Sequence, residues 1–200
     1  MNVNAMLPAS TALLLIDIQQ GFEAPYWGPR NNPEAEANMA RLLETWRAEK
    51  RPVVHIQHCS IEPDSALRPG QPGHNFQSFA EPILGEPVFQ KHVNSGFIGT
   101  GLEAFLREQG WTTLVLVGLT TNHCVSTTAR MAGNLGFKAY VVDDATATFD
   151  RADHHGRVYP AEQVHALALA SLHGEFATVV ETADVLAMLG SVGATAPHAN

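Results

Sequence analysis

Residues 113–144 read TLVLVGLTTNHCVSTTARMAGNLGFKAYVVDD, and this stretch sets the fold class. Thr113 to Val117 is a continuous apolar run ended by Gly118, the composition of a strand covered on both faces. A helix begins near Cys124 and runs to Leu135, where Gly136 stops it. A second apolar run, Ala139 to Val142, ends in Asp143 and Asp144. Strand, turn, helix and strand in so short a span make one parallel β-α-β unit.

The same alternation extends in both directions. Upstream lie a strand, Ala12 to Ile16, ending at Asp17, and a helix over about Glu34 to Lys50 with Met39, Leu42, Leu43 and Trp46 on its apolar face. Pro52 opens the strand Val53–Ile56, Pro87 opens one that closes at Lys91, and Gly101 to Gln109 is helical. Downstream come a helix over Ala161 to His173, a strand over Ala177 to Val180 and a closing helix over Thr182 to Leu189 with Thr182 as N-cap. Residues 59–86, punctuated by Pro63, Pro69, Pro72 and Pro82, and residues 145–160 read as long loops. The tail from Gly190 is expected to fray. The whole predicts one α/β domain over residues 1–200, with an ordered core of about 11–189. Its architecture is three-layer α-β-α around a doubly wound, mostly parallel six-stranded sheet.

Composition narrows the function classes. With 200 residues the chain is long enough for a core without disulfides or a structural metal. Charged residues make up 16%, against about 25% in an average soluble domain, which leaves room for buried subunit interfaces. Twelve Lys and Arg against twenty Asp and Glu give a formal charge of -8, a poor footprint for nucleic acid or anionic lipid. Cys59 and Cys124 could form one bridge at most, so this is no disulfide scaffold. Met1 to Ser10 lacks the basic and apolar regions of a signal peptide, and no apolar run has the length to span a bilayer. A cytoplasmic protein acting on a small molecule is expected, with no nucleic-acid or membrane partner. The segment after strand one, Asp17-Ile18-Gln19-Gln20-Gly21, has no phosphate-binding glycine pattern, so no nucleotide cofactor is expected.

Ligands of such sheets bind beyond the carboxyl ends of the strands, which selects Asp17, His55, His58, Lys91 and Thr120 to Cys124. Cys124 is the best nucleophile candidate, because a helix start offers free N–H groups and a positive dipole end to a thiolate. The bland alternative is a small buried hydrophobe, and Cys59 is read as incidental. A thiol needs a base to take its proton and a leaving amine needs an acid to supply one. Asp17 can take the proton from Cys124, while Lys91 can hold Asp17, lower its pKa and steady developing negative charge.

These segments resemble the isochorismatase-like cysteine hydrolases over about Thr11 to Leu189. The resemblance rests on Leu-Leu-Ile-Asp17-Ile-Gln, on Lys91 in Gln-Lys-His-Val-Asn-Ser-Gly-Phe, and above all on the segment Gly118 to Arg130. It implies an Asp17–Lys91–Cys124 triad, a covalent acyl or carbamoyl intermediate, a cis peptide at Leu119–Thr120, and an oxyanion hole from the N–H groups of Thr120 and Cys124. It also suggests a homo-oligomer, dimer or tetramer. The metal-binding nicotinamidase branch carries an Asp-x-His pair where this chain reads His55-Ile56-Gln57-His58. His55, His58 and His74 could gather a zinc, but the expectation is that no metal is bound and that His55 is tied to the backbone. True isochorismatases lack the cysteine, so Cys124 places the chain nearer the carbamoylsarcosine amidohydrolase-like branches. The implied reaction is C–N cleavage of a small amide or carbamoyl compound. The alternatives are enol ether hydrolysis and a non-catalytic binding protein on the same scaffold.

Phe22, Tyr26 and Trp27 follow Asp17 in a Pro- and Gly-bearing segment, and Phe22, Trp27 and His123 are the candidate substrate contacts. Arg68, Asn75 and Phe76 could also reach the site. Asp153, His154, His155 and Arg157 read as a solvated loop cluster.

Overall fold

The structure is a computed structural model, and it describes residues 6–190. The expected tail beyond Gly190 lies outside these residues. In chain order the elements are β1 (Ala12–Ile16), α1 (Ala35–Ala48), β2 (Val53–His58), β3 (Val88–Lys91), α2 (Leu102–Glu108), β4 (Thr113–Leu119) and α3 (Ser126–Asn134). They continue as β5 (Lys138–Ala147), β6 (Arg151–Ala152), β7 (Val158–Tyr159), α4 (Ala161–Ala170), β8 (Thr178–Val180) and α5 (Thr182–Leu189). Six strands form one parallel sheet in the order β3-β2-β1-β4-β5-β8, while β6 and β7 form a separate antiparallel ribbon. Among the described residues no helix is long and apolar enough to cross a membrane.

Side-chain alternation divides the core. Leu13 and Leu15 of β1, with Val115 and Val117 of β4, pack against Met39, Leu42 and Trp46 of α1 and Val185 of α5. Ala12, Leu14 and Ile16 face the other way, toward Leu102 and Leu106 of α2, Ala129 and Ala132 of α3, and Leu169 of α4. Both faces of the sheet are therefore covered, which is why its strands read as unbroken apolar runs rather than alternating ones. Chain order reverses between β1 and β4, so a crevice opens at the carboxyl ends of these two neighbours.

Several boundaries differ from the sequence reading. The second strand runs on to His58, because Gln57 and His58 pair with Gln90 and Lys91. β4 does not stop at Gly118. Its φ of 123° and its approach to β1 require glycine, since a Cβ there would lie 2.0 Å from the Ile16 carbonyl oxygen. β5 runs through the acidic pair to Ala147, with a bulge between the pairings Leu116–Val141 and Gly118–Thr146. Asp143 and Asp144 are accommodated because each is engaged, Asp143 with His165 and Asp144 with Asn38 and Thr182. Residues 145–160 are consequently the end of β5 and the β6–β7 ribbon rather than a loop. Thr182 is not the N-cap of α5. Glu181 caps it in a reciprocal box with Asp184, while the Thr182 hydroxyl donates to Asp144 Oδ1 at 2.8 Å.

Residues 59–86 hold two short 3-10 turns, Pro72–His74 and Ser78–Ala80, and are tied down at both ends. Gln19 Nε2 donates to the carbonyls of His58 (3.1 Å) and His74 (2.9 Å), which draws the segment over the carboxyl ends of β1 and β2. At the far end Glu86 accepts from Arg47 Nε and Nη2 of α1 (2.8 Å each), from His55 Nε2 of β2 (2.7 Å) and from the Ile83 N–H (3.1 Å). Burial opposes the charge on Glu86, but these donors win and hold its pKa down at about 2. His55 is thus tied to a side-chain carboxylate and not to the backbone.

Two outcomes follow from this architecture. Gly118→Ala should lower the unfolding free energy in urea titrations by at least about 2 kcal/mol, through left-handed strain and the clash with Ile16. A carboxyl depressed by folding adds stability that is complete above its ordinary pKa and fades as pH falls through the folded value. Glu86→Gln should therefore be less stable than the native chain at pH 6 by roughly 2 kcal/mol, with the gap closing between pH 4.5 and about 2.

Candidate active site

Three side chains meet at the crevice. Asp17 follows β1 directly, in a left-handed conformation with φ of 51°. Lys91 is the last residue of β3 and reaches across the end of β2. Cys124 lies in the turn after β4. The Lys91 ammonium donates to Asp17 Oδ2 at 2.7 Å, to Cys124 Sγ at 3.3 Å and to His58 Nδ1 at 3.3 Å, which uses its three N–H groups. Asp17 and Lys91 are fully buried, and Cys124 is 8% exposed. Asp17 Oδ1 is also buried and has no hydrogen-bond partner among the described residues.

The electrostatics follow from burial and these contacts. Burial favours a neutral Lys91, but Asp17 and Cys124 outweigh it and hold the ammonium above its ordinary pKa. Burial and the Asp17 charge push the Cys124 thiol well up, against the pull of Lys91. This balance favours the thiol over the dipole-stabilised thiolate that a helix start suggests. Burial and the neighbouring Lys91 lower the His58 pKa, so its Nδ1 stays a free acceptor at neutral pH.

The local backbone explains the difference. Thr121–Val125 is one π-helical turn, and α3 begins only at Ser126. The Thr120 carbonyl accepts from both His123 N–H (3.1 Å) and Val125 N–H (3.2 Å), which widens the turn and occupies those two amides. The Leu119–Thr120 peptide is cis. Behind the turn, the Thr121 hydroxyl lies 2.8 Å from His165 Nδ1, and His165 Nε2 donates to Asp143 at 2.7 Å. The Thr148 hydroxyl donates to Asn122, which ties the turn to the end of β5.

The aromatic wall is built from both sides of the sequence. Phe22 is buried, with its ring 5.2 Å from that of Trp27 and 6.4 Å from that of Phe149. Trp27 stacks on Phe149 at 5.2 Å and donates from its indole to the Gly21 carbonyl. Phe22 is thus a packing residue beneath Trp27. Tyr26 and Trp27 also line an open cleft of about 380 Å³ with Glu62, Asp64 and Ser65. His123 is half-buried and takes a hydrogen bond from Arg151 Nη2 at 3.3 Å. Sequence reasoning missed Arg151, an isolated cation in the segment after β5, and it missed the His58 contact to Lys91. Phe76 packs edge-on against His55 at 5.6 Å, and the Asp153 cluster forms the β6–β7 turn, with Asp153 accepting from the His155 and Arg157 amides.

The three histidines that could have gathered a zinc have separate partners. His55 binds Glu86, His58 accepts from Lys91, and His74 Nε2 lies 3.2 Å from Cys59 Sγ. Among the described residues no group of three or more His, Cys, Asp or Glu is placed to hold a metal. The residues present do not fit a nicotinamidase-type centre, because the three histidines are held by separate partners and the strand carries Gln57 and His55 rather than an Asp-x-His pair.

Residues 11–184 match the isochorismatase domain. The isochorismatase family protein YrdC of Bacillus subtilis (strain 168) is 46% identical over 171 residues, covering 86% of this chain and 91% of that protein. A crystal structure of an isochorismatase family protein from Chromobacterium violaceum ATCC 12472 is 52% identical. It superposes with a TM-score of 0.90 over 93% of this chain and 96% of its own. A streptothricin hydrolase of Streptomyces noursei is 36% identical over 142 residues, 70% of this chain and 50% of that enzyme. The chain belongs to the isochorismatase family.

Proposed function

We propose that Cys124 is the nucleophile in hydrolysis of the C–N bond of a small amide or carbamoyl compound, with Asp17 as proton acceptor and donor. The contact that carries this reading is the Lys91 ammonium, set between Asp17 Oδ2 and Cys124 Sγ at 2.7 and 3.3 Å. Because the resting thiol is protonated, attack requires a base at hand, and the unpartnered Oδ1 of Asp17 supplies a lone pair inside the buried site. The thiol proton passes to Asp17 as sulfur bonds to the carbonyl carbon. The N–H groups of Thr120 and Cys124 are assigned to the oxyanion, as the family resemblance implies; those of His123 and Val125 are spent on the Thr120 carbonyl. Collapse breaks the C–N bond, Asp17 returns the proton to the leaving nitrogen, and a thioester or thiocarbamate remains on Cys124. Water, deprotonated by Asp17, attacks that carbon, and the C–S bond breaks to regenerate the thiol.

Lys91 keeps net charge near zero while the proton moves, which a neutral residue could not do at that depth. Trp27 and His123 supply the substrate wall, with Phe22 supporting Trp27. No cofactor or metal takes part in these steps. We read the protein as a cytoplasmic homo-oligomer. Two free thiols suit a reducing compartment, and Ile83, Leu84 and Val88 at the β3 edge leave apolar surface for a second copy.

Ammonia release from a panel of primary amides, ureas and N-carbamoyl compounds tests the reaction. Cys124→Ala should abolish it while leaving the circular dichroism spectrum unchanged; equal release by the two proteins would overturn the thiol mechanism. Lys91→Met should lower kcat by about 10²-fold or more, read in the same assay.

A further inference from the structure

Consecutive residues of the turn before Cys124 are each held by a side chain from elsewhere in the protein. The Thr121 hydroxyl meets His165 of α4, Asn122 accepts from Thr148 at the end of β5, and His123 accepts from Arg151. The first of these ties is the deepest. Thr121 has no exposed surface and His165 is 5% exposed. Neither residue takes part in the proton transfers assigned to Asp17 and Cys124.

Packing alone does not call for this pair. Valine has the shape of threonine with no hydroxyl to satisfy, and an apolar residue on α4 would need no partner. What the polar pair adds is direction. His165 Nε2 donates to Asp143 Oδ1 at 2.7 Å, so the neutral imidazole keeps its lone pair on Nδ1, and the Thr121 hydroxyl donates to it at 2.8 Å. Asp143 is fixed in turn, because Asn32 Nδ2 donates to the carbonyls of Asp143 and Thr146 at 2.9 and 2.8 Å. Thr121 also closes the turn from within, since its carbonyl accepts the Ser126 N–H on the far side of Cys124. Holding Thr121 therefore holds the π-helical segment that carries the sulfur.

We propose that His165 is a positioning residue for the nucleophile. Through Thr121 it fixes the turn around Cys124, and this aligns the sulfur with Asp17 and with the substrate carbonyl in the transition state. The proposal rests on Cys124 being the nucleophile of the C–N hydrolase reading and adds a residue of α4 to the machinery behind it.

Two variants divide the bonds of the imidazole. In His165→Asn the Oδ1 atom takes the place of Nδ1 and still accepts from Thr121, whereas His165→Gln keeps a donor for Asp143 and loses that acceptor. Hydrolysis of the best amide from the ammonia panel is the first readout. His165→Gln and Thr121→Val should each lower kcat about tenfold or more with KM within about twofold, because misplacing a nucleophile costs rate rather than ground-state binding. His165→Asn should restore most of the rate even where its melting temperature falls as far as that of His165→Gln. The double variant Thr121→Val, His165→Gln should be no slower than the slower single one. Rates that merely follow melting temperature, or a native kcat in Thr121→Val, overturn the proposal and leave the C–N reading standing.

The second readout needs no turnover. Iodoacetamide forms a C–S bond to Cys124 as iodide leaves and the thiol proton passes through Asp17 to water, and the rate is read from the mass of the Cys124 peptide. His165→Gln and Thr121→Val should react about threefold more slowly or worse, with His165→Asn close to native. That ranking supports the proposal even where no amide is hydrolysed, in which case the C–N reading falls alone. Equal alkylation rates in all these proteins, with no hydrolysis, overturn both.

Discussion

A lysine ammonium with no exposed side-chain surface is costly to bury, and the Lys91–Asp17 contact at 2.7 Å is what makes it tolerable. The pair has to be assembled from distant parts of the chain, 74 residues apart, with both members out of water. Their charges cancel within one hydrogen-bond length, and His58 and Cys124 take the remaining donors of the ammonium. Removing either charge would leave the other stranded, so the constraint ties β1, β3 and the turn after β4 into a single geometry. A neutral ion pair beside a protonated thiol also lets a proton move without creating net charge at depth.

The sheet meets this constraint through its strand order. With β2 between β1 and β3, the Lys91 side chain must cross the end of β2, and the pairing of His58 with Lys91 puts an acceptor on its path. With β4 directly beside β1, the Gly118 approach brings the Cys124 turn against Asp17. The long segment 59–86 closes the same end of the sheet, held by Gln19 from one side and Glu86 from the other. Its backbone partners are the carbonyls of His58 and His74, so the residues that flank the ion pair also anchor the loop that covers it.

The legible parts of the sequence were those governed by local composition. The cores of β1, β4 and α1 showed themselves through unbroken apolar runs and three- and four-residue spacing, because burial on both sheet faces and on one helix stripe demands those patterns. Asp17, Lys91 and Cys124 were legible because each chemistry-bearing residue closes or follows an apolar strand. The π-helical turn was not, since Thr120 to Val125 has no composition that separates it from the start of an α-helix. The continuation of β5 through Asp143 and Asp144 was hidden because acidic pairs ordinarily end strands. It is sustained by His165, Asn38 and Thr182, which arrive from other helices. His55 and Arg151 were obscure for the same reason: their partners, Glu86 in one case and Trp27 with His123 in the other, are distant in sequence.

What the sequence by itself determined is the α/β class, the parallel sheet and the set of residues that stand at its carboxyl edge. Periodicity and strand-ending polar residues are local properties, and local properties survive without coordinates. The tertiary structure decided which of those residues touch, the protonation of the thiol, and the partner of each histidine. These are consequences of burial and of distances between segments far apart in the chain, and both come into existence only when the strands are laid side by side.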